Sequence, residues 1–189
     1  MSFSPHETTL RRAFGTPTSY GTVASPATGQ ISAQEIGAEG SYRGIRLSLT
    51  NVPIAITNAN EFGSADLWTF VAGSLDISNA CVDLTVQASA GIPQTTSALA
   101  MSLGTAATAD TTLSGAEANA VASTTLAALV AGAGTFRAGA NTSVSRIGGI
   151  TAQTLRLNAA LTGNVMTADA TLTVSGTIDV YFTLARAFA

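Results

Sequence analysis

The sequence predicts an all-β fold, an antiparallel β-sandwich, on three observations. Apolar residues alternate with Thr, Ser and charged residues at period two in one short run after another. Turn-forming residues separate these runs every 8–12 residues or so, the spacing of a sandwich or barrel. Only one segment carries helical spacing. Together they predict roughly seven to nine strands and at most one short helix. Two sheets whose inner faces take the alternating apolar residues would form the core. Periodicity alone leaves jelly-roll and immunoglobulin-like topologies both open.

Residues 1–40 stand apart. They contain Pro5, Pro17 and Pro26, several glycines and no sustained periodicity, which reads as an extended N-terminal arm or lead-in with short strands at most. Such an arm either lies along a neighbouring subunit or is a mobile terminus. The sandwich domain is expected over 41–189.

Alternation starts at residue 43. Ile45, Leu47 and Leu49 face one way, Arg46, Ser48 and Thr50 the other, and after Asn51 the apolar residues Val52, Ile54 and Ile56 continue with the phase shifted by one. A shifted phase means a bulge or tight corner, placed at Asn51 and Pro53. Residues 58–63 (Asn-Ala-Asn-Glu-Phe-Gly) form a turn cluster. Leu67-Trp68-Thr69-Phe70-Val71 reads as the next strand. Leu75 and Ile77 lead to a break at Ser78-Asn79, then Val82, Leu84 and Val86 alternate with Asp83, Thr85 and Gln87.

Leu99, Met101 and Leu103 mark a further strand. Thr111-Thr-Leu-Ser-Gly115 resembles a turn or the start of a helix, and the alanine-rich stretch 116–130, with Leu126, Leu129 and Val130 at helical spacing, predicts the one helix. Gly132, Gly134 and Gly139 around Phe136 read as a flexible connection, and Gly148-Gly149 as a break before Leu155, Leu157, Ala159 and Leu161. The clearest run is last. Leu172, Val174, Ile178, Val180, Phe182 and Leu184 occupy even positions, and Thr171, Thr173, Ser175, Thr177, Asp179, Tyr181 and Thr183 the odd ones. A helix would scatter these six apolar residues around its cylinder; a strand in a sheet with one packed face keeps them together. Gly176, the one interruption, permits a bend or a close backbone approach.

Composition narrows the function. Charged residues are 10% of the chain, against roughly 25% in ordinary soluble domains, and more than half of it is Ala, Thr, Ser and Gly. There is no lysine. The cations are Arg11, Arg12, Arg43, Arg46, Arg137, Arg146, Arg156 and Arg186, against eleven carboxylates, for a net charge of −3. Nucleic-acid binding needs a concentrated basic face, so no direct nucleic-acid partner is expected. A weakly charged surface of small polar side chains suits contact with other protein. Met1 to Thr18 lacks the apolar core of a signal peptide, and no apolar stretch approaches the ~18 residues of a membrane span. The expected setting is inside a cell, or in an assembly formed there.

The residue types of catalysis are scarce. His6 is the only histidine and lies in the arm, a poor place for a triad base. Cys81 is the only cysteine, so no intrachain disulfide forms, and its apolar run predicts a buried thiol. Zinc ligation needs several such ligands. Asp66, Asp76, Asp83, Asp110, Glu117, Asp169 and Asp179 occur singly, without a calcium-loop motif, and the sequence selects no two of them as a glycosidase pair. The glycine cluster at 132–139 lacks both dinucleotide and P-loop spacing. Asn141-Thr142-Ser143 fits a glycosylation sequon, which has no meaning without export. Trp68, Phe70 and Tyr181 invite comparison with a sugar-stacking platform, but packing inside the sandwich is the expected use. No catalytic, cofactor-binding or metal-binding residue is expected, and no enzyme.

The run from Thr167 to Leu184 (Thr-Ala-Asp-Ala-Thr-Leu-Thr-Val-Ser-Gly-Thr-Ile-Asp-Val-Tyr-Phe-Thr-Leu) resembles the closing strand of small virion proteins of tailed bacteriophages, many of them capsid decoration (cement) proteins. Ser102-Leu-Gly-Thr-Ala106 and Asp110-Thr-Thr-Leu-Ser-Gly-Ala-Glu117 resemble their middle segments. The resemblance covers roughly residues 97–185 and is one of texture and short phrases. It implies a jelly-roll-like β-sandwich on the outside of an icosahedral head, a homotrimer bracing the major capsid protein, and a place in the virion after assembly in the host cytoplasm. It brings no catalytic residues. A tail or fibre domain, and a non-catalytic carbohydrate-binding or adhesive sandwich, are the alternatives.

Overall fold

The computed structural model describes residues 20–24, 30–36, 43–89, 91–92, 99–107, 111–126, 132–140, 145–147, 151–161 and 166–185. Their strands are β1 (Gly21–Val23), β2 (Ile31–Ile36), β3 (Arg43–Ile56), β4 (Phe62–Phe70), β5 (Ser74–Ala88), β6 (Leu99–Gly104), β7 (Val121–Thr125), β8 (Ala133–Ala140), β9 (Ser145–Ile147), β10 (Thr154–Leu161) and β11 (Ala170–Ala185). One sheet has the order β1-β4-β10-β6-β7. The other runs β2-β3-β11-β5-β8, with β9 also paired to β5. All of these pairings are antiparallel.

The pairs are nested. β6 pairs β7, β5 pairs β8, β4 pairs β10 and β3 pairs β11, as in one long hairpin. Rolling that hairpin over brings β10 beside β6 and β11 beside β5. This is a jelly roll, with β1 and β2 added at the β4 and β3 edges. Within the expected arm (1–40), β1 and β2 thus contribute a strand to each sheet, and residues 1–19, 25–29 and 37–40 lie outside the described residues.

Alternation explains the core. The even apolar positions of β11 meet Leu67, Phe70, Leu155 and Leu157 of the opposite sheet in one buried cluster. Phe70 and Phe182 cross between the sheets edge to face, with centroids 5.0 Å apart. Trp68, Phe70, Phe136 and Phe182 are among the largest fully buried side chains, each worth roughly 1.5–3 kcal/mol of transfer free energy.

Bulges keep the long strands in phase. Thr50 and Asn51 together face Ser175, because Val52 pairs Val174 and Leu49 pairs Gly176; Asn51 takes φ +53°. This is the expected corner at Asn51, made without ending the strand. Ser78 plays the same part in β5, where Asn79 pairs Tyr181 and Ile77 pairs Phe182. The expected break at Ser78-Asn79 is thus a bulge inside one 15-residue strand.

Three expectations are corrected. Within the stretch given to a helix (116–130), a short 3-10 turn at Gly115–Glu117 leads into strand β7; pairing with β6 overrides alanine's helix propensity. Residues 127–131 lie outside the described residues. The glycine-rich 132–139 segment is largely strand β8, with Phe136 fully buried, because pairing along β5 and an inward aromatic outweigh the cost of its glycines. Cys81 is exposed. The Ser78 bulge turns Ala80, Val82, Leu84 and Val86 inward, so the cysteine between them points out.

Candidate interaction face

The two sheets treat their outer faces differently. The β10 and β6 positions that point away from the core include Asn158 and Ser102, yet both are fully buried. The chain following β6 folds back over them. Thr105 and Ala106 donate their backbone N–H groups to the Ala116 carbonyl at 2.7 and 3.1 Å. From below, Ser102 Oγ donates to the Glu117 carbonyl at 2.8 Å, Asn158 Nδ2 to the same oxygen at 2.9 Å and to the Ala106 carbonyl at 3.0 Å, and Arg156 Nη1 to the Thr105 carbonyl at 3.0 Å. The Glu117 carboxylate accepts the Ser114 N–H at 3.3 Å, closing the turn. At Gly104 a side chain would strike the Glu117 backbone. This sheet is strapped by its own chain.

No described segment covers the outer face of the β2-β3-β11-β5-β8 sheet. Along β11 it presents Thr171, Thr173, Ser175, Thr177, Asp179 and Tyr181, flanked by Arg46 and Ser48 of β3, Cys81, Asp83, Thr85 and Gln87 of β5, and Thr135 and Arg137 of β8. The charges at its centre cancel. Arg46 Nε and Nη2 grip both Asp179 oxygens at 2.7 and 2.6 Å, and Arg137 Nε donates to Asp83 Oδ1 at 2.7 Å. Ile178 lies opposite Val82 in the register, and a local two-fold axis through that pair carries Asp179 onto Asp83 and Arg46 onto Arg137. The row therefore reads cation, carboxylate, carboxylate, cation across four strands. The hydrogen bond and then the charge of its carboxylate raise the pKa of each guanidinium further above its ordinary value.

The singled-out residues within the described part of the chain are dispersed. Trp68 and Phe70 are 1% exposed, so they offer no platform for a sugar; Tyr181 is separated from them by its own sheet and lies half-buried on the outer face. Asp83 and Asp179 do become diagonal neighbours, but on a flat face and already held by arginines. Asp66 pairs with Arg156 at 2.6 Å, beside a cleft of about 420 Å³ bordered by Gln30, Val52, Pro53 and Ser64. Asp169 Oδ1 accepts the Asn58 N–H at 2.7 Å, tying the β3–β4 turn to the start of β11. His6, Asp110 and the 141–143 sequon lie outside the described residues. Among the described residues no group of three or more His, Cys, Asp or Glu is placed to hold a metal ion, and no helix is long and apolar enough to cross a membrane.

Sequence reasoning placed the threonines of residues 171–184 together on one face but missed the arginine–aspartate row and the strap. The signal for the row was present: Arg46, Asp83, Arg137 and Asp179 all sit at outward positions of alternating runs. Their partners depend on strand order. Compared with protein-family models, curated proteins and solved structures, the chain matches none.

Proposed function

We propose that this chain is a virion structural protein, a capsid decoration (cement) protein that binds the outer surface of a tailed-phage head, contacts the major capsid protein and braces neighbouring capsomers, as a homotrimer. The observation that carries this reading is the asymmetry of the two sheets. A strap occupies one outer face, while the other is a broad sheet of small polar side chains whose central charges are already paired. Such a surface suits contact with protein and offers little to an ionic ligand. The jelly roll recurs among capsid domains, although it also serves lectins and cupins, and the phrases at 97–185 resemble those of decoration proteins. A head packed with DNA is under outward stress, and a clamp across subunit boundaries adds buried interface without changing the shell.

The test is to mix purified protein with heads built from the capsid protein of the same genome. Saturable binding at a fixed ratio, with heads that withstand more heat or chelator, is the expected result. No binding, or a copy number in purified particles as low as that of tail parts, overturns it. Light scattering after size-exclusion chromatography gives the native mass, for which three copies are expected, in solution or on the shell.

A further inference from the structure

Resting on the decoration reading, we infer that the outer face of the β2-β3-β11-β5-β8 sheet is the docking surface, and that its partner is a flat, uncharged patch of protein on the head shell. Size is the first argument. At a rise of about 3.3 Å per residue and a spacing of about 4.8 Å, these five strands cover roughly 900 Å². A standard specific interface takes about 800 Å² from each partner. One face of this sheet is enough, without the arm.

Charge selects the partner. Arg46 and Arg137 are committed to Asp179 and Asp83, so an anionic partner finds no spare cation at the centre and a cationic partner no spare carboxylate. Breaking either pair on docking would leave a charge uncompensated. Around the row stand Thr173, Thr177, Thr85 and Thr135. These side chains have one rotatable carbon–carbon bond and lose little entropy on burial compared with lysine or glutamate, and each offers a methyl group beside a hydroxyl. That is a surface for shape-matched contact, with charge serving to reject partners.

The strap supports the same assignment. Ser102 Oγ and Asn158 Nδ2 point out of the other sheet and donate to the chain that covers them, while Asn158 Oδ1 is buried beneath it without a partner. The outward threonines of β11, Thr171, Thr173 and Thr177, have no such cover among the described residues.

The experiment uses the full chain and intact heads, comparing the wild type with Thr173→Arg and Gln87→Arg, neighbours on the open face, and with Ser123→Arg, exposed on β7 of the strapped sheet. Both open-face variants place an uncompensated charge in the contact and are expected to weaken head binding by about 30-fold or more, while Ser123→Arg stays within about threefold of wild type. Wild-type affinity is expected to change by less than about threefold between low and high salt, unlike a contact built on counterion release. Two unaffected open-face variants, with the wild type still binding, overturn this inference and leave the decoration reading standing. A tenfold salt effect overturns the uncharged partner, and a change in native mass in the open-face variants reassigns the face to contact between copies. Failure of the wild type to bind heads removes both readings.

Discussion

Asn51 and Ser175 face each other across β3 and β11 and form the joint about which the central pair of strands changes phase. The Asn51 N–H donates to Ser175 Oγ at 2.9 Å, the Ser175 hydroxyl reaches Asn51 Oδ1 at 3.3 Å, and Gln30 Nε2 donates to the Asn51 carbonyl at 2.8 Å. Asparagine tolerates a positive φ better than other side-chain-bearing residues. With two residues against one, Leu49 and Val52 both point inward.

Replacing Asn51 separates its backbone role from its side chain. Asn51→Val forces a β-branched residue to φ +53° and is expected to lower stability by about 1–3 kcal/mol. Asn51→Gly keeps the backbone and its hydrogen bond to Ser175, and is expected within about 1 kcal/mol of wild type. Urea denaturation of both checks this; equal losses would mean that φ is not the controlling feature.

Gly176 lies at φ +136°, where a side chain would run into the Asp83 carbonyl of the adjacent strand. Gly176→Ala is expected to cost about 3 kcal/mol or more, since both the φ region and the β5 contact oppose it. Ser175→Ala, next to it, is expected to lose only about 1 kcal/mol. Melting curves that rank these two in the opposite order would refute the account.

Asn158 is the main anchor of the strap. Asn158→Leu removes the side-chain donor to the Ala106 carbonyl and one of the two to the Glu117 carbonyl, and is expected to destabilise by about 1–3 kcal/mol. Hydrogen exchange gives the sharper readout. The amides of Thr105, Ala106 and Glu117 should exchange faster in the variant while those of β11 stay comparatively protected. Uniform acceleration would mean that the strap is part of the global fold.

Two side chains report on which way β4 and β5 face. Trp68, the only tryptophan, should emit at short wavelength and resist iodide quenching. Cys81 should react with an aromatic disulfide reagent in the native protein at nearly the rate of a free thiol. A slow thiol would place the Ser78 bulge elsewhere.

The arginine–aspartate pairs give a pH expectation with a definite sign. A cation whose pKa is raised on folding contributes its stability fully below its unfolded pKa and loses it as pH rises through the folded value. For Arg46 and Arg137 both values lie above the ordinary working range. The melting-temperature difference between wild type and Arg46→Gln should therefore be the same at about pH 6 and about pH 8. A difference that disappears between these values would show that some other group controls the pair.

Much of the fold was legible because strand alternation is a local property. The even-numbered apolar run of β11, the phase shift at Asn51 and the interruption at Gly176 each follow from two-residue periodicity and the steric limits of single residues, and the structure keeps all three. Residues 116–126 and 132–139 misled for the converse reason: alanine and glycine carry weak local preferences, and pairing with β6 and β5 decided the strands there. Cys81, by contrast, shares the parity of Asp83, Thr85 and Gln87, so its outward direction was already written in the local alternation. Alternation along the chain was enough to specify the class of fold and the threonine-rich character of one face. Strand order set the rest: Arg46 meets Asp179, Arg137 meets Asp83, and the chain after β6 straps one sheet while no described segment covers the other. Those contacts join residues 54 to 133 positions apart, and no local preference encodes a partner at that distance; rolling up the nested hairpin brings them together.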